Sequence, residues 1–157
     1  MTEYPKLNLP AAPLRLRRDN DIVKVFDRLR DKWVTLTPEE WVRQNFVAWL
    51  RDHYHYPESL TANEIGIEVN GTRKRCDTVV YGRNNRPLII VEYKAPDVTV
   101  TQAVFDQIVR YNMSLHAEYL VVSNGMNHYC CKIDYANNTY HFIPQIPDYH
   151  KLIAPLN

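Results

Sequence analysis

The run Leu88-Ile89-Ile90-Val91 leads without a polar break into Glu92-Tyr93-Lys94 and stops at Pro96. A continuous apolar run of this kind reads as a strand buried on both faces, which belongs in a sheet covered on both sides. The neighbouring sequence supplies the cover. Upstream, Thr37-Pro38-Glu39-Glu40 places Thr at the N-cap, Pro at the first helical position and Glu at the third. That is a capping box with a proline start. Val42, Phe46, Trp49 and Leu50 continue with helical spacing, and the helix should end before Pro57. Downstream, Thr99-x-x-Gln102 predicts a second helix start, with Val104, Ile108, Tyr111 and Leu115 marking one face.

The remaining runs are strands. Glu64 to Val69 alternates, with Ile65, Ile67 and Val69 on one face, and Asn70-Gly71 turns the chain into a second run from Cys76 to Tyr81. After the second helix come Glu118 to Val122, the turn Asn124-Gly125, and two more strands, His128 to Ile133 and Thr139 to Ile143. This order predicts an α/β fold with a mixed sheet flanked by helices and an extra C-terminal β-hairpin. Residues 1–36 read as an extended arm carrying Arg15, Arg17 and Arg18, followed by a strand pair, Ile22 to Asp27 and Lys32 to Leu36. Residues 37–157 hold the main unit, and a chain of 157 residues makes about one globular domain in all.

Several function classes are excluded. With 19 Lys and Arg against 18 Asp and Glu, no uniformly basic surface exists, although a basic cleft is allowed. No apolar run approaches the roughly 20 residues of a membrane helix. The first residues lack the layout of a signal peptide. A cytoplasmic protein is expected. Cys76, Cys130 and Cys131 form no disulfide framework or zinc motif and read as reduced thiols. His53 and His55 lack a carboxylate or cysteine at ligand spacing and read as packed surface; His128 and His141 have no recognisable partner. There is no G-x-S-x-G elbow and no dinucleotide fingerprint.

The chemistry concentrates on Asp77 and, fifteen residues later, Glu92-Tyr93-Lys94. If the two strands pair antiparallel, Asp77 and Glu92 lie side by side. Glu92 and Lys94, two apart, share a face. Two carboxylates and an ammonium then meet at a strand end. Mg²⁺ takes hard oxygen ligands, commonly one or two carboxylates with water and substrate phosphate. There it would polarise a phosphodiester and acidify a water.

The whole arrangement resembles the PD-(D/E)-x-K nuclease superfamily, and within it the N-terminal nuclease domain of type I restriction enzyme R subunits. The resemblance runs from about Thr37 to Cys131. It is carried by Glu39 to Gln44, Arg75 to Tyr81, Ile90 to Pro96, Gln107-Ile108-Val109-Arg110-Tyr111 and Val122 to Gly125. One departure is Cys76 where the motif has proline. A second is that the family's R subunits carry a translocase, whereas this sequence has no G-x-x-x-x-G-K-[ST] loop. ATP-driven translocation within this chain is therefore not expected.

The resemblance implies that Asp77 and Glu92 bind Mg²⁺ (with Mn²⁺ as substitute), joined by the Tyr93 carbonyl. Lys94 is the implied catalytic lysine, and Glu40 the helix carboxylate near the metal. Gln107 and Tyr111 match a Q-x-x-x-Y element that supports the site and DNA. Each has a plainer alternative: Glu40 as half of the capping box, Gln107 and Tyr111 as packing, and Arg73-Lys74-Arg75 as a solvated hairpin flank rather than a phosphate-contacting patch. The expected activity is endonuclease-type, metal-dependent DNA hydrolysis, with motor or specificity subunits acting in trans. Dimerisation is one route by which nucleases of this fold cut both strands. The alternative is a nuclease-fold assembly module without catalysis.

Overall fold

The computed structural model describes residues 4–153. Two sheets are present. The larger has six strands in the order β4-β5-β6-β7-β8-β9: Thr61–Val69, Thr72–Tyr81, Pro87–Tyr93, Tyr119–Ser123, His128–Asp134 and Thr139–Ile143. Every neighbouring pair is antiparallel except β6 with β7, which run parallel. The connection between those two is α2, Gln102–Asn112. A parallel pair requires such a crossover. The mixed, helix-flanked α/β sheet is the restriction-endonuclease-like architecture expected, and β8 with β9 is the extra hairpin.

The helices lie on opposite faces. Val42, Phe46 and Leu50 of α1, Pro38–His53, pack with Val80, Ile89, Val91, Tyr93 and Val121. Phe105 and Val109 of α2 pack with Val79, Ile90, Leu120, Val122 and Cys131 on the other side. β6 is therefore buried on both faces, as its apolar run requires: Ile89, Ile90 and Val91 are all fully buried. Cys76, Cys130 and Cys131 are free and buried, and burial pushes each thiol up to about 12. They are inert packing residues.

Helix starts differ in detail from expectation. Thr37 caps α1 by accepting the Glu40 amide at 3.1 Å. The Glu40 carboxylate does not return the bond; it turns instead to Arg30. The cap of α2 is Thr101, which accepts from the Val104 amide, rather than Thr99. The core face of α2 also differs. Phe105, Val109 and Asn112 are buried, while Val104, Ile108 and Tyr111 face a cavity.

The arm is more ordered than an extended segment. Leu16–Asp19 forms β1 and pairs with β2, Ile22–Asp27, which pairs in turn with β3, Lys32–Thr35. Asn20 and Asp21 both have positive φ, 49° and 69°. Two consecutive residues of this kind make the tight turn that suits strand twist, and after glycine Asn and Asp tolerate it best. Further back, Leu7 packs on Gly125, where any side chain would meet its methyl at 2.7 Å. Asn8 donates to the Gly125 carbonyl, and the Trp41 indole donates to the Pro5 carbonyl. His128 has partners after all. Its ring bridges the Ser123 hydroxyl at 2.7 Å and the Asn8 carbonyl at 2.8 Å. A short helix, α3, Tyr149–Ile153, seats Tyr149 in the core beside Tyr56. Among the described residues no helix is long and apolar enough to cross a membrane.

Candidate active site

After a register shift between Tyr81 and Val80, β5 and β6 pair in register from Val80 opposite Ile89 to Thr78 opposite Val91 and then part. Extending that register puts Asp77 opposite Glu92. At this point the Asp77 carboxylate accepts the Tyr93 amide at 2.9 Å, and the Asp77 carbonyl accepts from Arg43 at 2.8 Å. Side-chain bonds thus replace ladder bonds at these strand ends.

A change of face in the neighbouring strand accompanies the opening. Glu64 has φ of 53° and interrupts β4 between Asn63 and Ile65. Asn63 bonds Asp27 and Thr78, while Ile65 and Ile67 join the α2-side core. No glycine announces this flip.

The Glu92 carboxyl lies beside that of Asp77, and its Oε1 is buried with no hydrogen-bond partner. Burial first, then the Asp77 charge, pushes Glu92 up to about 9, against the opposing pull of Lys94 and Arg43. A buried carboxyl oxygen without a donor costs free energy, and a divalent cation would satisfy it. Two adjacent carboxylates suit the hard oxygen chemistry of Mg²⁺. Glu92 and Lys94 line a cavity of about 250 Å³ whose other wall is α2, through Val104, Gln107, Ile108 and Tyr111. Among the described residues Lys94 makes no ion pair within 4.0 Å. The structure therefore brings together Asp77, Glu92, Lys94, Gln107 and Tyr111.

Glu40 occupies a different position. Its Oε1 accepts from Arg30 at 2.7 Å, and its Oε2 accepts from Gln44 at 3.0 Å and lies 3.2 Å from Arg43. With both oxygens engaged, it stands behind Arg43 rather than in the donor set. Arg43 was not singled out from sequence. It is 5% exposed, sits against the Tyr93 ring, and reaches Glu64 at 2.5 Å. The motif block Glu39 to Gln44 contained it, but an arginine on a helix ordinarily reads as solvated.

The basic run splits across the two faces of β5. Lys74 stacks on the Tyr111 ring, 4.5 Å from its centroid, and donates to the Tyr111 carbonyl. Arg75 is paired with Glu64 at 2.8 Å, and the Arg73 guanidinium lies across Gly66. Strand alternation separates them, and of the three it is Lys74 that reaches Tyr111 on the cavity wall. His53 and His55 are remote from this site, and His55 pairs with Asp148 at 2.8 Å.

The raised Glu92 gives a pH prediction. A folded-state pKa above the unfolded value means that the native state holds a proton which the unfolded chain has lost. That contribution is intact below about pH 4.5 and disappears as pH rises through about 9. In chelator, wild type should lose stability across this window. Glu92→Gln should flatten the dependence and gain on the order of a few kcal/mol at pH 8. Urea melts at successive pH values read it; parallel curves for both proteins would refute it.

The model of the family described as type I restriction enzyme R protein N terminus matches residues 38–147. No curated protein matches the chain. The matched stretch includes α1, the sheet carrying Asp77 and Glu92, α2, and the hairpin β8–β9. Covering well over half of the residues, it shows that the chain belongs to the type I restriction enzyme R protein N-terminal family.

Proposed function

We propose that this chain is a divalent-metal-dependent deoxyribonuclease of the restriction type. The family supports a nuclease-type role connected with restriction enzymes. The observation that carries the finer reading is the parting of β5 and β6 at Asp77 and Glu92, with the Glu92 Oε1 buried and unpartnered and Lys94 on the same cavity. Asp77, Glu92 and the Tyr93 carbonyl would hold Mg²⁺ or Mn²⁺. A bound cation supplies charge to polarise the phosphodiester and lower the pKa of the attacking water.

The protein's own groups do the rest. Lys94 presents an ammonium where negative charge grows on the phosphoryl oxygens, and it orients the water. Arg43 donates to the Asp77 carbonyl and so helps fix the carboxylate that faces Glu92; Glu40 and Glu64 hold Arg43 in turn, and Arg30 holds Glu40. Gln107 and Tyr111 form the opposite wall, and Lys74 beside Tyr111 is placed to meet a backbone phosphate. Motor or specificity subunits would bring target choice in trans.

Incubation with linear, circular and single-stranded DNA plus Mn²⁺ tests this. Cleavage that chelator abolishes is expected, and intact substrates under all conditions would favour the assembly-module alternative. Separately, Mn²⁺ should raise the melting temperature of the metal-free protein by several degrees, since a ligand at 100 times its dissociation constant adds about 2.7 kcal/mol. Asp77→Ala should remove that rise. A variant that keeps it would place the ion elsewhere.

A further inference from the structure

The three-stranded sheet β1–β3 lies ahead of the family-matched residues. One of its faces is built from alternate positions: Arg15 and Arg17, then Lys24 and Phe26, then Trp33. The Arg15 guanidinium sits over both rings, 4.8 Å from the Phe26 centroid and 5.2 Å from that of Trp33. Arg17 lies over Trp33 at 4.5 Å. Stacking holds each guanidinium flat while leaving donor edges for another ligand. Asp19 shares one carboxylate between Arg17 at 3.1 Å and Lys24 at 3.4 Å, so it spaces two cations with a single negative charge. Arg15 has no ion pair within 4.0 Å among the described residues, and it is exposed.

Charge is unevenly distributed along the chain. From Leu14 to Leu36 there are seven Lys or Arg against four Asp or Glu, while the whole chain is only +1. The remainder is therefore net acidic. A polyanion meeting this protein finds a net positive segment here, with Arg15, Arg17 and Lys24 interleaved with flat rings. Ordered guanidiniums and aromatic faces suit a phosphate backbone with bases or sugars beside it, whereas an acidic peptide offers the rings nothing to stack on.

We infer that the Arg15–Arg17–Lys24–Trp33 face of the β1–β3 sheet is a second nucleic-acid contact surface, separate from the cleft of Asp77 and Glu92. It rests on the nuclease reading for its biological sense and anchors the same DNA at a distance from the cut. Arg18, on the opposite face of β1 by strand alternation, serves as an internal control.

The test is anisotropy with labelled duplex DNA in chelator, across a salt series, using the full chain. Arg15→Ala/Arg17→Ala should weaken binding about tenfold or more and lower the salt slope by about 0.9 for each phosphate that is no longer neutralised. Arg18→Ala should leave both unchanged. If the double alanine variant does not fold, Arg15→Lys/Arg17→Lys keeps the charge without the stacked plane, and should bind DNA more weakly than wild type. An equal loss in Arg18→Ala, unaltered binding in both double variants, or equally tight binding of polyglutamate would overturn the surface. Cleavage with Mn²⁺ is read on the same proteins. DNA left uncut by wild type but bound through Arg15 and Arg17 would sink the nuclease reading and leave this surface standing. Normal cutting with unaltered binding in the variants would do the reverse.

Discussion

Cleavage by Lys94→Ala is expected to fall by about 10²- to 10⁴-fold, the range of a positioned proton-transfer or charge-stabilising group. The side chain continues the alternation of Glu92 along the end of β6 and lines the same cavity. Nothing among the described residues neutralises it within 4.0 Å. Its charge is therefore free to act on whatever occupies the space between the sheet and α2. Truncation at the β-carbon leaves Asp77 and Glu92 in place. The thermal rise with Mn²⁺ should then survive while the rate collapses, which separates loss of chemistry from loss of the ion. Lys94→Arg should recover only part of the rate, because a broad planar guanidinium does not replace a compact ammonium. Single-turnover assays on circular DNA give the comparison. Equal rates for wild type and Lys94→Ala would remove this residue from the reaction.

Arg43→Ala should destabilise the fold by about 3–5 kcal/mol, the penalty typical of breaking a buried ion pair from one side. Two nitrogens of one guanidinium donate hydrogen bonds, and the third stands in an ion pair without one. Nη1 reaches the Asp77 carbonyl, Nη2 reaches Glu64, and Nε lies 3.2 Å from Glu40. Alanine leaves the Asp77 carbonyl without that donor and takes one cation away from two carboxylates. The loss is a large part of the total for a domain whose stability is about 5–15 kcal/mol. Lysine cannot span three directions from one nitrogen, so Arg43→Lys should recover little. Denaturant midpoints measure both variants, and a change below about 1 kcal/mol for Arg43→Ala would mean that surface-like solvation reaches this cluster.

Where a signal was local and periodic, it was readable. The apolar run of β6 announced burial on both faces, and Thr37-Pro38 announced the start of α1 to the residue. Asp77, Glu92 and Lys94 could be put together because strand alternation and an antiparallel register are enough to place them. The face of α2 was harder. Val104, Ile108 and Tyr111 satisfy helical spacing, and so do Phe105, Val109 and Asn112. Periodicity cannot tell a core from a cavity wall when both are apolar. Leu115, grouped with the first set, belongs to the core. The Asp27–Arg30–Glu40–Arg43–Glu64 ion-pair and hydrogen-bond cluster was invisible for another reason: charged residues default to solvent, and only their mutual pairing allows them inside. The flip at Glu64 has no marker, since a non-glycine residue with positive φ reflects tertiary context rather than local preference.

The interlocking of residues 4–36 with the described elements that follow bears on where one folding unit ends. Val25, Asp27 and Leu36 are buried. Asp27 is tied to Asn63, Arg30 to Glu40, and Asn8 to the β7–β8 turn. The boundary of the sequence match at residue 38 therefore falls inside a shared interior and not at a hinge. The stretch that carries the family signature and the stretch that shares one packed interior are, in this molecule, of different lengths.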